Sequence, residues 1–199
     1  MDAPLFYFIR HGETDWNAEG RLQGVHDVVL NDRGRRQAAR CGATLRELFA
    51  SRGRAAAEFA FVSSPLVRAT ETMAIVRGKL GLSAAGVSLE GRLAEMSFGR
   101  WEGLTWRDVA AADAPLVRLR NRDRWNFRPP GGESYADVLQ RVAAWHAGIT
   151  GDTVVTAHGG IARAFMVLFG VRTPAEAPNG VVEQGAVFEF APGTMTRHR

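Results

Sequence analysis

The chain has 199 residues, about one domain's length, and its 46% hydrophobic and 23% charged residues suit a globular protein with a sizeable core; this excludes a disordered, a collagen-like and a coiled-coil chain. One cysteine, Cys41, excludes an internal disulfide framework and any multi-cysteine metal site. The net charge is +4 and the 25 basic residues are all arginine except Lys79, a balance weakly compatible with anionic ligands, while no long basic run, zinc-finger spacing or RNP-like motif points to nucleic acid.

The chain opens Met-Asp-Ala-Pro and then has only five apolar residues, Leu5 to Ile9, with no basic segment before them. That is too short for a secretory leader, and no later stretch approaches the length of about 18 apolar residues that a membrane span needs. The expectation is a cytoplasmic protein with no membrane partner.

Strand-like and helix-like segments alternate, which argues for an α/β fold. The run from Leu5 to Ile9 reads as a buried strand. Residues 33–50 read as a helix with Asp32 as its N-cap, because Cys41, Leu45, Leu48 and Phe49 recur at helical spacing. Phe59 to Val62 is a second buried strand. Ser64 is placed to cap the next helix, with Pro65 at its first position. Val87 to Leu89 suggests a short strand. Residues 91–132 are irregular and rich in Gly, Arg and Trp, with a short helix over 103–111. Ser134 to Ile149 reads as a helix, with Ser134 and Asp137 at capping-box spacing and Val138, Val142, Trp145 and Ile149 on one face. Thr153 to Ala157 is a strand, Ile161 to Phe169 a short helix and Ala186 to Phe190 a final strand. The last eight residues read as a loose tail.

Three polar clusters follow predicted strands directly: Arg10-His11-Gly12-Glu13-Thr14, Ser63-Ser64-Pro65-Leu66-Val67-Arg68 and His158-Gly159-Gly160. In open α/β sheets ligands bind beyond the carboxyl ends of the strands, so these clusters can meet in one site. Each alone has an ordinary structural explanation. Together, two histidines and two arginines at strand ends suggest a cationic pocket for phosphate, with the fork of each arginine and the amides of helix starts as donors. Arg68 in a first helical turn opposes the helix dipole, a conflict that an anion would relieve.

Arg10-His11-Gly12-Glu13-Thr14, followed by Trp16, Asn17, Gly20, Arg21, Gln23 and Gly24, resembles the signature of the histidine phosphatase superfamily, which includes the cofactor-dependent phosphoglycerate mutases. The resemblance continues in order through Ser63–Thr72, Leu93-x-Glu95-x-x-Phe98-Gly99-x-Trp101-Glu102-Gly103, Gly131-Gly132-Glu133-Ser134 and His158-Gly159-Gly160. It implies a three-layer α/β/α sandwich with a mostly parallel sheet, in a single domain over 1–199, with residues 91–132 as a cap over the strand ends. It implies His11 as the nucleophile that takes the phosphoryl group. Arg10, Arg68 and His158 would hold the non-bridging oxygens, His158 working better protonated. Glu95 would be the acid and then the base. Asn17, Gln23, Gly24 and Gly159 fall where the family contacts phosphate or substrate.

These roles imply hydrolysis of a small phosphorylated metabolite without a metal or other cofactor, since arginines and a histidine can stabilise the transferring oxygens. The alternatives are a phosphoglycerate mutase and a non-catalytic binding protein. Only 62 residues separate Glu95 from His158, whereas the mutases generally carry a longer insertion there, and they tend to have Asn where this chain has Gly160. Among Arg118, Arg120, Arg122 and Arg124, substrate contact and a solvated surface both remain open, because a spacing of two defines no helix face. His26, His146 and His198 match no catalytic motif, and Cys41 is read as core. The oligomeric state is not legible.

Overall fold

The computed structural model describes residues 4–199. Met1 to Ala3, on which part of the expectation about a leader rests, lie outside the described residues. Strand β1 (Phe6–Arg10) leads to a one-turn helix α1 (Asp15–Ala18) and the long helix α2 (Asp32–Ser51). Strand β2 (Ala60–Ser63), helix α3 (Val67–Lys79) and the short strand β3 (Ser88–Leu89) follow. Helices α4 (Trp106–Ala112) and α5 (Ala114–Arg122) come next, then α6 (Tyr135–His146), strand β4 (Thr153–Ala157), helix α7 (Gly159–Leu168) and strands β5 (Val187–Ala191) and β6 (Thr194–His198).

The six strands form one sheet in the order β3-β2-β4-β1-β5-β6. The first four run parallel, and β5 and β6 are antiparallel additions. Alternation along β1 assigns the two faces. Phe6 and Phe8 pack with Val142 of α6 and Phe165 of α7, whereas Tyr7 and Ile9 pack with Cys41 and Leu45 of α2 and Met73 of α3. Helices therefore cover both faces, which gives the expected three-layer sandwich. Tyr7, Phe8 and Ile9 have no exposed surface, and burial of each side chain stabilises the fold by about 1.5–3 kcal/mol. A smaller cluster of Leu22, Trp101 and Val109 holds residues of the 91–132 segment together, with Trp101 Nε1 donating to Asp113 Oδ2 at 2.7 Å.

Several expectations are corrected. Asn31, not Asp32, caps α2, because its Oδ1 accepts from Gly34 N at 2.9 Å and Asp32 becomes the first helical residue. Helix α3 starts at Val67 rather than Pro65, and Ser64 does not cap it: the first helical amide, Val67 N, donates instead to Asp27 Oδ1 at 2.8 Å. The acidic side chain of Asp27 offsets the dipole conflict of Arg68 from a distant loop. The helix expected at 103–111 begins three residues later, at Trp106, and α5 was not anticipated. The tail is not loose: Ala191 pairs with Thr194 across a tight turn of Pro192 and Gly193, and Thr194–His198 forms the sheet edge. Among the described residues, no helix is long and apolar enough to cross a membrane.

Candidate active site

Strand β1 ends by delivering Arg10, and His11 N extends the ladder by donating to Ala157 O at 2.9 Å. The His11 ring is buried, and its Nδ1 lies 2.7 Å from Gly12 O. A carbonyl oxygen can only accept, so Nδ1 carries the proton and Nε2 keeps its lone pair. Burial, then the charges of Arg68 and Arg10, push the His11 imidazolium well below the usual histidine range. The loop is braced from behind: a Cβ on Gly12 would sit 2.3 Å from Gly34 O, so the backbones of this loop and of the start of α2 touch. Gly12 N also donates to Thr72 Oγ1 at 3.0 Å, and that hydroxyl donates to Arg68 O at 2.7 Å.

His158 follows β4 at the N-cap position of α7 and is fully buried. Its ring centroid is 5.1 Å from that of His11. Its Nε2 lies 2.7 Å from Ser64 Oγ, so Ser64 orients an imidazole rather than a helix end. The resemblance implies that His158 works better protonated, and the unliganded protein disfavours that form. Burial, then Arg68, His11 and Arg10, hold its imidazolium well below the usual range, so the ring is neutral.

Arg68 is also fully buried, its Nη1 donating to His26 O at 2.6 Å and its Nη2 to Gly24 O at 2.7 Å. Arg10 Nη1 donates to Val182 O at 2.8 Å. Burial lowers the pKa of both guanidinium groups, and the nearby Glu95 opposes that shift. Arg10 Nε, Arg68 Nε and His158 Nδ1 are buried and pair with no protein atom. With the Ser64 hydroxyl donating to His158 Nε2, all three are N–H donors suited to an anion beside His11.

Glu95 reaches this cluster from the loop before α4. Its Oε1 accepts from Met96 N at 2.8 Å and from Gly160 N at 3.0 Å, which places the carboxylate at the start of α7. The loop is fixed from α6: Arg141 donates to Arg92 O at 2.5 Å and pairs with Glu133, whose Oε2 accepts from Ser97 N at 3.0 Å. Glu102 Oε1 accepts from Phe98 N at 2.9 Å and Val25 N at 3.4 Å, while its Oε2 lies 3.3 Å from His26 Nε2. It thereby ties this loop to residues 24–26, whose carbonyls hold Arg68.

The predicted site residues other than His158 line one cavity of about 350 Å³, and His158 lies buried behind it beside His11. Asn17 Oδ1 accepts from Gln184 Nε2 at 2.9 Å and from Thr14 N at 3.2 Å. Gln23 is buried, and Gly159 opens α7. Of the four ambiguous arginines, Arg120 and Arg124 line the cavity and Arg118 and Arg122 do not. Arg21, Trp106, Tyr135 and Arg163 also line it. Arg163 was legible in principle, because it lies one helical turn after Gly159 on the same face. Of the other histidines, His26 meets the site through its carbonyl on Arg68 and its ring beside Glu102, whereas His146 and His198 are remote from it. His146 packs edge-on against Phe6 and Phe169, and His198 Nε2 lies 3.0 Å from Glu189 Oε2. Cys41 is core, and burial pushes its thiol up to about 12. Among the described residues no group of three or more His, Cys, Asp or Glu is placed to hold a metal ion. A neutral imidazole with a free Nε2, surrounded by N–H donors and one carboxylate, is equipped to accept a phosphoryl group.

Comparison with known proteins agrees with this geometry. The profile of the histidine phosphatase superfamily (branch 1) matches residues 6–192. The glucosyl-3-phosphoglycerate phosphatase of Mycolicibacterium vanbaalenii is 37% identical over 176 residues, which is 82% of this chain and 73% of that protein. A 2,3-bisphosphoglycerate-dependent phosphoglycerate mutase of Beijerinckia indica is 30% identical, covering 91% of this chain and 88% of its own. The solved structure of a mycobacterial glucosyl-3-phosphoglycerate phosphatase complexed with VO3 superimposes with a TM-score of 0.76 at 32% identity, covering 94% of this chain and 92% of that one. Sequence signature, fold and relatives converge: the chain belongs to the histidine phosphatase superfamily.

Proposed function

We propose that this phosphatase hydrolyses a phosphomonoester of a small metabolite through a phosphohistidine at His11, without a metal ion. The observation that carries the proposal is the 2.7 Å contact between His11 Nδ1 and Gly12 O, which leaves Nε2 unprotonated. Nε2 attacks phosphorus, the bond to the leaving oxygen breaks, and a protonated Glu95 gives that oxygen its proton. Water then attacks the phosphohistidine, Glu95 takes the proton, and the phosphorus–nitrogen bond breaks to release phosphate. Arg10, Arg68 and His158 hold the non-bridging oxygens, with His158 donating through Nδ1. Asn17, Gln23, Gly24 and Gly159 contact the substrate, and residues 91–132 cap the single domain. Splitting one displacement into two replaces a difficult step with two easier ones.

The mutase relatives favour the alternative reading, return of the phosphoryl group to a bound glycerate. Against it, a Cβ at position 160, where mutases tend to carry Asn, would lie 2.4 Å from Glu95 Oε1, so a side chain there would displace this carboxylate from its present place. The test is phosphate release in EDTA from p-nitrophenyl phosphate and a panel of metabolite phosphates that includes glucosyl-3-phosphoglycerate. The His11→Ala protein is the control. Release that depends on His11 is the expected result. Isomerisation of 3-phosphoglycerate with a bisphosphate primer, without net release, would establish the mutase instead.

A further inference from the structure

The segment that leads into β5 supports the cavity without carrying any of the motifs of the family signature. Its main chain holds two of the lining arginines: Val182 O accepts from Arg10 Nη1 at 2.8 Å, and Gly180 O accepts from Arg163 Nε at 3.2 Å. From the same segment the Gln184 side chain reaches across 167 residues of chain, and its Nε2 donates to Asn17 Oδ1 at 2.9 Å. Asn17 lines the cavity and Gln184 does not.

Asn17 is the third residue of α1, and its side chain turns back onto Thr14, which caps that helix. Thr14 N donates to Asn17 Oδ1 at 3.2 Å and Thr14 Oγ1 does so at 3.3 Å. A backbone N–H only donates, so the Asn17 atom that faces it is the carbonyl oxygen. The Gln184 amide is fixed in turn, because only its NH2 can bond to that oxygen. The two Thr14 contacts are long, and the Gln184 bond is the shortest of the three. Among the described residues, every hydrogen bond of the Asn17 side chain falls on Oδ1, which leaves the two N–H groups of Nδ2 for the cavity. One residue of α2 braces both ends of this contact. Gln37 is buried, its Oε1 accepts from Glu13 N at 2.8 Å, and its Cγ lies 3.0 Å from where a Cβ on Gly185 would stand.

We propose that Gln184 is a positioning residue, which holds the Asn17 carboxamide in the orientation that presents Nδ2 to the oxygens of the phosphoryl group. The proposal rests on the phosphatase reading above, in which Asn17 contacts the substrate, and adds the residue that aims it. An amide free to turn about its last bond would offer Oδ1 to the cavity part of the time, and a carbonyl oxygen facing a phosphate repels it. Gln184 disfavours that state, because Thr14 N and Gln184 Nε2 would then both face an N–H group and lose their acceptor.

The test is a double-mutant cycle on Asn17 and Gln184, read by the affinity for inorganic phosphate in calorimetry and by KM and kcat for p-nitrophenyl phosphate. Asn17→Ala should weaken phosphate binding by about tenfold or more, the scale of a hydrogen bond to a charged group. Gln184→Ala should weaken it by about threefold to tenfold, the scale of one neutral hydrogen bond, and should raise KM. In the Asn17→Ala background the same Gln184→Ala change should cost nothing further. Gln184→Glu, which keeps the shape but has no donor for Oδ1, should weaken phosphate binding at least as much as Gln184→Ala. Equal losses from Gln184→Ala with and without the Asn17 side chain would overturn the proposal. So would an unchanged phosphate affinity in either single variant, including a Gln184→Ala protein whose only change is a lower melting temperature. Absence of His11-dependent release from p-nitrophenyl phosphate would overturn the phosphatase reading alone, because phosphate binding still reports on Asn17 without turnover.

Discussion

Glu95 and Gly160 meet across 65 residues of chain, the carboxylate accepting the Gly160 amide at 3.0 Å in the space where a side chain at 160 would stand. The carboxylate is thus positioned by the absence of a Cβ. Gly160→Ala should push Glu95 away from the leaving oxygen while leaving the nucleophile in place. The expected signature matches that of Glu95→Gln: turnover of alkyl phosphates falls by about a hundredfold, the scale of general acid catalysis, while p-nitrophenyl phosphate, whose leaving group needs little protonation, is affected far less. Steady-state kinetics on both substrate types checks this, and equal losses would remove Glu95 from the acid role.

His11→Ala should abolish turnover on every phosphomonoester. In the wild type, quenching during turnover should trap one phosphoryl group on His11, stable in base and labile in acid as expected for a phosphoramidate. Peptide mass spectrometry locates the modification. A phosphoryl group on any other residue would reassign the nucleophile.

Glu102 touches neither His11 nor Glu95, yet it clamps the 24–26 loop whose carbonyls hold Arg68 at 2.6 and 2.7 Å. It is a positioning residue. Glu102→Ala should lower kcat by about tenfold to a hundredfold, the effect of a sub-ångström displacement of a charge-stabilising group. Glu102→Gln, which keeps the acceptor for Phe98 N, should recover part of that loss. If thermal stability falls while kcat is unchanged, Glu102 serves the fold alone.

His11 and His158 are buried and neutral, and burial also lowers the pKa of His146. In the unfolded chain these rings titrate near 6.5. Below about pH 6.5 the unfolded state therefore binds more protons than the folded one, so stability falls as pH falls and is level above that range. Each ring contributes a loss of up to ~1.4 kcal/mol per pH unit. Urea midpoints between about pH 7.5 and 5 should show this decline, with a shallower slope in His158→Asn. A flat profile would mean that the rings are protonated in the folded protein.

The buried strands and the three polar clusters at their ends were legible because Arg10-His11, Ser63–Arg68 and His158 directly follow apolar runs, whereas Glu95 lies in the irregular 91–132 segment and was marked only by the family resemblance. What was not legible depends on distant partners. Asp27 caps α3 from a loop 40 residues earlier, and Ser64 is claimed by His158 rather than by the helix beside it. The neutrality of His158 follows from burial, a property of the packed protein. Strand β6 has a weak pattern and only one neighbour, although its Pro192-Gly193 turn was a readable sign. Arg120 and Arg124 differ from Arg118 and Arg122 only in which way they face, and a spacing of two could not say.

The pairing of β1 with β4 matches Arg10 to Ala157. It therefore sets His11 and His158 side by side as the next residues of two adjacent parallel strands. Side chains alternate faces along a strand, so one residue inserted into either strand would turn one histidine out of the crevice while leaving the other. The chain can lengthen where it passes over the surface, as between α3 and β3, but not within these two strands. The connecting turns away from the cavity can change in length, whereas the distance between the two imidazoles is fixed by the register of the sheet.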